Sequence, residues 1–365
     1  MTTCAAATRR HLEVIAAEPR PAGSAAEAAA RRHCVNELTS LGFDVTEEPF
    51  EYSALPGRFG TPAAGVASIL VLAAVGHLGF HGLPAAALAL LIVAGGVLAL
   101  FAQWSARRGV LVLPWARATG LNLVATRGSD APRVWLVAHL DSKSQPIPIL
   151  VRALGVMSSI ALWVIAAALL VAQLAGAQVA ALWPWISIAG VIAGAPVAAS
   201  LVQARSHGAL DNASGTATVL VAAGMLPREC ELGVLVTSAE ELGLAGARAW
   251  VAARGAGTAI NCDGIDDCGG LRLTFTGRRP AELVDALVEA ADATGEPVVV
   301  RRLPPGVLVD GVALADAGWR VVTVSRGTAR TVACIHTPSD NLDAVNGHGV
   351  ERAAVVIARA MSALA

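Results

Sequence analysis

The stretch that decides the fold is Val234-Leu235-Val236-Thr237-Ser238-Ala239-Glu240-Glu241, an apolar run that ends in two acidic residues. Aliphatic and β-branched residues in such a run predict a strand that is buried on both faces. The carboxylate pair at its end is then expected at the rim of an open α/β sheet, where such folds hold their active sites. We therefore expect Glu240 and Glu241 to take part in chemistry.

Strand patterns alternate with helical patterns around this run. The predicted strands are 43–50, 122–126, 134–138, 232–238, 258–262, 271–276, 297–301 and 320–325. The predicted helices outside the most apolar regions are 25–41, 214–226, 243–254, 280–293, 309–317 and 348–364. This alternation predicts an α/β fold with a mostly parallel or mixed sheet that helices cover on both faces.

Two long stretches contain no Asp, Glu, Lys or Arg: the segment between Arg58 and Arg107 and the segment between Arg152 and Arg205. A membrane span needs about 20 apolar residues, so each stretch can form two spans and a turn. We place the turns at 76–82 and 172–178, where Gly, His and Gln collect. A composition of 55% hydrophobic and 15% charged residues favours this interpretation over two large buried core helices.

The hairpins are expected to interrupt one domain, because neither polar piece before residue 205 carries enough strands to close a core. The predicted polar domain is therefore discontinuous, and its pieces are 1–57, 105–150 and 205–365. The predicted transmembrane hairpins are 59–104 and 151–204. The chain is expected to be an integral membrane protein with four transmembrane helices, so that the lipid bilayer is one of its partners.

The distribution of charge predicts the orientation of the chain in the membrane and argues against nucleic acid as a partner. The arginines flank the hairpins on the side of the polar segments, and the positive-inside rule then places the polar domain in the cytoplasm. No apolar signal segment is visible near Met1. A net charge of −1 without a basic run argues against binding to nucleic acid. The six cysteines lack Cys-x-x-Cys spacing and are expected to be packing residues.

Histidines and acids stand at the ends of several other segments. His139 and Asp141 are two apart, so in extended chain their side chains point the same way, and Asp141 can accept a hydrogen bond from the ring of His139. Taken singly, Asp211 can be a helix cap, and Asp263 and His336 can be turn residues.

Together, these segment ends supply two imidazoles and several carboxylates. Such ligands without thiolate suit zinc, with Mn²⁺ or Co²⁺ as possible substitutes. Two metal ions that share a carboxylate can activate one water and polarise one carbonyl, which is the layout for amide hydrolysis. The candidate site residues are His139, Asp141, Asp211, Glu240, Glu241, Asp263 and His336.

The order of these motifs resembles the di-zinc aminopeptidase family, which includes aminopeptidase Y, bacterial leucyl aminopeptidases and glutamate carboxypeptidases. The matching features are His139-x-Asp141, Asp211-Asn-Ala-Ser-Gly215, Glu240-Glu241-Leu-Gly243, Asp263 and His336-Thr-Pro-Ser-Asp340-Asn341. The resemblance covers the polar segments and implies the zinc-exopeptidase fold. It also implies two Zn²⁺ ions, a peptide substrate and the activity of a membrane-anchored exopeptidase, most simply an aminopeptidase.

The resemblance also implies roles, residue by residue. One zinc would be held by His139, Asp211 and Asp263, and the other by Asp211, Glu241 and His336. Glu240 would be the general base that takes a proton from the metal-bound water and passes it to the leaving amine. Asp141 would orient His139, and Lys143 and Asp310 would border the substrate pocket.

The chain departs from the family pattern in two respects. Gly246-Ala247 stands where many members show Gly-Ser, and Asp211 follows His139 by 72 positions, with a predicted hairpin between them. We therefore hypothesise that the substrate is a peptide end near a membrane. Two alternatives stay open, a glutaminyl-cyclase-like acyltransferase with a single zinc, suggested by His-x-Asp-Ser-Lys at 139–143, and an inactive membrane scaffold. The sequence leaves open the residue preference, the choice between amino- and carboxypeptidase, the physiological substrate and the oligomeric state.

Overall fold

The computed structural model describes residues 2–364, with side chains from Cys4 onward. The chain forms two compact units. The first comprises the chain up to Ala54, Leu111–Ser144 and the chain from Ala204; the second comprises Leu55–Val110 and Gln145–Gln203.

A sheet of eight strands forms the centre of the first unit. The strands are β1 Asp44–Ser53, β2 Arg117–Arg127, β3 Val134–His139, β4 Leu232–Thr237, β5 Thr258–Ile265, β6 Leu271–Phe275, β7 Val298–Arg302 and β8 Arg320–Arg326. Their order is β1-β2-β4-β3-β5-β8-β6-β7. The central strands β4, β3, β5 and β8 are parallel, whereas β1, β2 and β4 pair in antiparallel fashion. The predicted α/β class with a mixed sheet is confirmed.

Helices cover both faces of this sheet because side chains of a buried strand alternate between two cores. On one face, Leu136 and Ala138 of β3 pack in a large aliphatic core. On the other face, Trp135 packs edge to face on Trp250, with ring centroids 4.8 Å apart, and Trp319 follows at 5.0 Å from Trp250. The central strands thus need apolar residues at every position, which explains their continuous runs.

The helices of the first unit agree closely with the predicted ones, and two further helices are present. They are α1 Thr2–Ile15, α2 Ala25–Ser40, α7 Ser214–Met225, α8 Ala245–Ala252, α9 Ala281–Thr294, α10 Asp310–Asp316, α11 Ala329–Cys334 and α12 His348–Leu364. Helices α1 and α11 were missing from the prediction. In α1 the buried face comprises Thr8, His11, Leu12 and Ile15, and because two of these four residues are polar, the hydrophobic period that predicts a helix is weak.

The second unit contains four helices: α3 Leu55–Phe80, α4 Pro84–Val112, α5 Ile149–Leu174 and α6 Ala180–Ala198. Each is long and apolar enough to cross a membrane. The turn between α3 and α4 lies at 81–83, so the predicted turn at 76–82 meets it only at 81–82, and residues 76–80 are helical. Gly76 and Gly79 are helical contact residues instead: a Cβ on Gly79 would lie 2.4 Å from the Trp183 ring. Small residues allow helices to approach each other this closely.

Candidate metal centre

Three neighbouring parallel strands bring polar residues to one edge of the sheet. His139 is the last residue of β3, Glu240 and Glu241 follow β4, and Asp263 lies near the end of β5. Because β4, β3 and β5 run parallel and side by side, their carboxyl ends meet at this edge. The pairing of β5 with β8 is irregular between Cys262 and Ile265, around Asp263.

Asp211 joins this group from the segment that leads into α7. Its carboxylate lies between two imidazoles: Oδ1 is 3.1 Å from Nε2 of His139, and Oδ2 is 3.0 Å from Nε2 of His336. Its backbone is held by Asp340, whose carboxylate accepts from the N–H groups of Leu210 (2.6 Å) and Asp211 (3.3 Å). The side chain therefore faces the centre of the cluster and does not act as a simple helix cap.

Glu241 and His336 complete the other side of the cluster. Oε1 of Glu241 lies 3.1 Å from Nε2 of His336, and Oε2 lies 2.6 Å from Nζ of Lys143. The contact between Oε1 and the His336 ring lacks hydrogen-bond geometry, so among residues 2–364 this buried oxygen has no hydrogen-bond partner. A buried carboxylate oxygen that lacks a partner costs free energy, which a cation at this position would remove.

Six of the candidate site residues form two separate donor groups of three. His139, Glu240 and Asp263 offer atoms within 4.8 Å of one another, and so do Asp211, Glu241 and His336. The second group has the composition that the family resemblance implies. In the first group, Asp211 also lies within reach of His139, whereas Oε2 of Glu240 is 4.0 Å from Nε2 of His139. Imidazoles and carboxylates without thiolate fit zinc or a similar divalent ion.

Asp141 acts differently from the expectation. The closest acceptor for Nδ1 of His139 is the backbone carbonyl of Asp141 at 3.0 Å, and the nearest carboxylate oxygen is 3.8 Å away. The carboxylate instead accepts from the backbone N–H groups of Glu240 (3.0 Å) and Glu241 (3.2 Å). Asp141 thus contacts all three neighbours, His139 through its carbonyl and the acidic pair through its side chain.

The crowding of acids separates their pKa values. Burial raises the pKa of Glu240 well above its usual range, and the nearby carboxylates of Glu241 and Asp310 add to this. Burial also raises the pKa of Asp263, to about 7. For Glu241, burial acts in the same direction, but His336 and Lys143 outweigh it and lower the pKa to about 2. Without metal, the cluster therefore holds protons on some acids and charge on others.

For the imidazole of His139, neighbouring acids outweigh the effect of burial on the pKa. Burial lowers its pKa, but the charge of Glu240 and the hydrogen bond with Asp211 outweigh this and raise the pKa well above its ordinary value. Asp211 responds with a pKa well below its usual range, because its hydrogen bonds to the two imidazoles outweigh burial.

Two supporting residues were absent from the predicted set. Asp340 lies in the motif that contains His336 and positions Asp211, as described above. Arg20 is fully buried and donates to the backbone carbonyls of Leu140 (2.9 Å), His207 and Gly208 (3.0 Å). The sequence signal for Arg20 was weak because its partners are backbone atoms about 120 and 190 positions away. Asp310, expected at the pocket, accepts from Thr237.

Residues 122–361 match Peptidase family M28. The structure is similar to that of an aminopeptidase from Aneurinibacillus sp. strain AM-1, with a TM-score of 0.57 and 15% identity over 98% of this chain and 92% of the other. It is also similar to BSAP, a zinc aminopeptidase from Bacillus subtilis (TM-score 0.56, 15% identity, 99% and 94% covered).

Glutaminyl cyclases share the architecture as well. The enzyme of Porphyromonas gingivalis has a TM-score of 0.54 and 12% identity, and the similarity covers 100% of this chain and 98% of the other. No curated protein sequence matches the chain. At these identities the solved structures show the fold, and the family is shown by the match over more than half of the chain. The chain therefore belongs to Peptidase family M28 and is a metallopeptidase.

Proposed function

We propose that this protein is a membrane-anchored, zinc-dependent exopeptidase that removes residues from the N-termini of peptides. The observation that carries the proposal is the position of Asp211 between His139 and His336, at 3.1 and 3.0 Å. A single carboxylate that faces two imidazoles, each with its own further acids, supports a centre for two ions that share Asp211.

In this proposal, His139, Asp211 and Asp263 hold one ion, and Asp211, Glu241 and His336 hold the other. When bound, such ions lower the pKa of water and polarise a carbonyl. Glu240 takes a proton from the attacking water and delivers it to the nitrogen of the leaving amine. Cations beside Glu240 would favour its ionised form, which is the form that can accept this proton.

Asp141 is proposed as a positioning residue. Its carboxylate fixes the backbone of Glu240 and Glu241 at 3.0 and 3.2 Å, and its carbonyl fixes the ring of His139 at 3.0 Å. The base and two metal ligands are thereby held in one arrangement before substrate binds. Preorganisation of this kind reduces the cost of reaching the transition state.

A digest of a peptide library by the purified protein in detergent tests the proposal. We expect products shortened from the N-terminus, loss of activity in a chelator, and recovery on addition of Zn²⁺. Products shortened from the C-terminus would show that the protein is a carboxypeptidase and not an aminopeptidase. Cleavage that persists after verified removal of metal would contradict the proposal.

The apolar helices support the membrane part of the proposal. Four helices of sufficient length are present, and the arginines flank them on the side of the polar segments. We propose that all four span the bilayer and that the peptidase unit faces the cytoplasm. A green fluorescent protein fused after Ala365 should fluoresce in intact bacteria, whereas a dark fusion of full length would reverse the orientation.

A second candidate function is cyclisation of N-terminal glutamine. Lys143 lies 2.6 Å from Oε2 of Glu241, and a cation at this oxygen leaves Glu241 only one oxygen for metal. In this reaction the substrate's α-amine attacks its own γ-carboxamide, and ammonia leaves. Native mass spectrometry separates the candidates, since two bound zinc ions with release of amino acids support the peptidase, and one ion with release of ammonia supports the cyclase.

A further inference from the structure

A second group of metal-binding side chains lies outside the candidate metal centre. His11 is on α1, and His33 and Glu37 are on α2. His33 and Glu37 are four residues apart in a helix, so they lie on the same face, one turn from each other. The ligand atoms of all three residues lie within 4.8 Å of one another.

The two imidazoles face each other directly. Nδ1 of His11 is 2.9 Å from Nε2 of His33, and the ring centroids are 5.1 Å apart with the planes tilted by 59°. Without a metal, one ring must donate its N–H to the lone pair of the other. With a divalent ion, both nitrogens can present lone pairs to it, which is how neutral imidazole binds metals.

The environment keeps both rings neutral. His11 is 4% exposed, and its burial, together with the adjacent His33 and Arg10, lowers its pKa to about 3. Burial also lowers the pKa of His33. Metal binding at neutral pH therefore requires no loss of a proton from a charged imidazole.

Glu37 supplies the negative charge. Its Oε2 pairs with Arg10 at 2.8 Å, on the exposed side. One carboxylate oxygen of Glu37 also lies within 4.8 Å of the ring nitrogens of His11 and His33. Two imidazoles and one carboxylate, with solvent for a fourth position, form a donor set that zinc and cobalt accept readily.

We propose that His11, His33 and Glu37 bind one divalent transition metal, Zn²⁺ in the natural protein, which clips α1 to α2. A metal ion that links α1 to α2 would also affect a neighbouring segment. The carbonyl of Ala16, directly after α1, accepts a hydrogen bond from Nδ1 of His207 at 3.1 Å. His207 belongs to the segment that precedes Asp211. An ion that fixes α1 thereby stabilises one support of this segment without contacting the peptidase site.

The test is a metal count in a chain whose peptidase site has been disabled. The background variant carries His139→Ala and His336→Ala, which removes one imidazole from each donor group of the candidate metal centre. The full-length protein in detergent is dialysed against Co²⁺, and bound cobalt is counted by plasma mass spectrometry and by its visible absorption. We expect one Co²⁺ per chain with the intense absorption of low coordination number.

Further substitutions in this background assign the ion to the cluster. His33→Gln should abolish binding, and Glu37→Gln, which keeps the size of the side chain, should weaken it at least tenfold. The matched controls are His348→Gln and Glu13→Gln, two exposed residues outside the cluster, and both should keep the ion. Circular dichroism verifies the fold of each variant.

Two results would overturn the proposal: a background variant that binds no Co²⁺, or one ion that survives both His33→Gln and Glu37→Gln. The measurement reports metal binding by His11, His33 and Glu37 without any assay of peptide hydrolysis. Failure of the proposed peptidase function and failure of this metal site therefore give separate signals.

Discussion

Glu240 and Glu241 are neighbours in sequence, but their surroundings give them different properties. His336 and Lys143 lower the pKa of Glu241, whereas burial and then the neighbouring acids raise the pKa of Glu240. We predict that Glu240→Ala lowers kcat by a factor of about 10²–10⁴, because the proton of the attacking water loses its acceptor. Metal content, measured by plasma mass spectrometry, should stay at the wild-type value. Glu289→Ala, at an exposed position of α9, is the control, and equal turnover of both variants would remove Glu240 from the mechanism.

Asp141 offers a more specific test of positioning. Asp141→Asn keeps the shape of the side chain but turns one of its two acceptor oxygens into a donor that faces a backbone N–H. We expect kcat/KM to fall about 10- to 100-fold, with a matching loss of zinc affinity, as for other residues that support metal ligands. The exposed Asp130→Asn serves as the control. Unchanged zinc affinity would show that the acidic pair needs no such support.

The raised pKa values predict how the metal-free protein responds to pH. Burial raises the pKa of Asp141 to about 8 and that of Asp263 to about 7, whereas an unfolded aspartate titrates near about 4. Between these values the folded state holds protons that the unfolded state has lost, so the free energy of unfolding falls as pH rises. The raised pKa of His139 acts in the same direction above its ordinary value of 6.5.

Denaturant unfolding in chelator should therefore give a lower midpoint at about pH 8.5 than at about pH 7. This window lies above 6.5, the ordinary pKa of histidine, below which the lowered pKa values of His11 and His33 act in the opposite direction. The pKa values of Asp211 and Glu241 are lowered, so the stability that these residues provide changes with pH only below about pH 4. It is constant within this window. Added Zn²⁺ should stabilise more at the higher pH, because it replaces protons on the ligands. A midpoint that rises with pH in chelator would contradict the assignment of protons in this cluster.

The sequence could predict which residues gather but could not predict all of their contacts. Residues such as His139 and Glu240 follow apolar runs, and parallel strands bring their carboxyl ends together, so the cluster follows from the pattern of strands. The hydrogen bonds of Asp141 depend on the turn after β4, where Ala239 has a left-handed backbone conformation at φ 57°. The contact between His11 and His33 depends on how α1 packs against α2. This packing cannot be read from the sequence of either helix alone.

At the level of elements, the glycines of the second unit carry a prediction. In α3, a Cβ on Gly79 would lie 2.4 Å from the ring of Trp183, which is fully buried. Gly79→Val should overpack this contact and destabilise the helices by about 1–3 kcal/mol. Gly96→Val in α4 is the matched control, since no atom lies within 4 Å of its added Cβ. Thermal unfolding in detergent, followed by circular dichroism, should show a lower Tm for Gly79→Val alone.

The same glycines explain why the turn of the first hairpin was misplaced. Gly76, Gly79 and Gly82 look alike in sequence, yet only Gly82 has a positive φ, at 74°, and lies in the turn. The other two are helical, and they are glycine because neighbouring side chains occupy the space that a Cβ would need. By contrast, the lengths of the helices followed directly from the absence of charge, which the sequence displays without ambiguity.

For the whole molecule, the hairpins leave and re-enter the first unit at points that its own hydrogen bonds hold together. The N–H of Ala54 donates to the carbonyl of Ala116 at 2.9 Å, and the N–H of Arg205 donates to Oγ of Ser144 at 2.9 Å. Short connections can therefore replace residues 55–110 and 145–203 without stretching the sheet. The cost of closing such short loops is small on the scale of the core that they preserve.

We predict that a chain with two short Gly-Ser loops at these points is soluble, retains the metal centre, and hydrolyses free peptides with kcat/KM within about tenfold of the parent protein. If substrates are selected near a bilayer, the parent in vesicles should prefer a lipid-linked peptide over the same free peptide, and the soluble chain should lose this preference, because only the helices bring the centre to lipid. The measurement is the ratio of kcat/KM for the two peptides in each protein. Equal ratios in both proteins would show that membrane attachment plays no part in the choice of substrate, while the peptidase chemistry itself would stand on the rate for the free peptide.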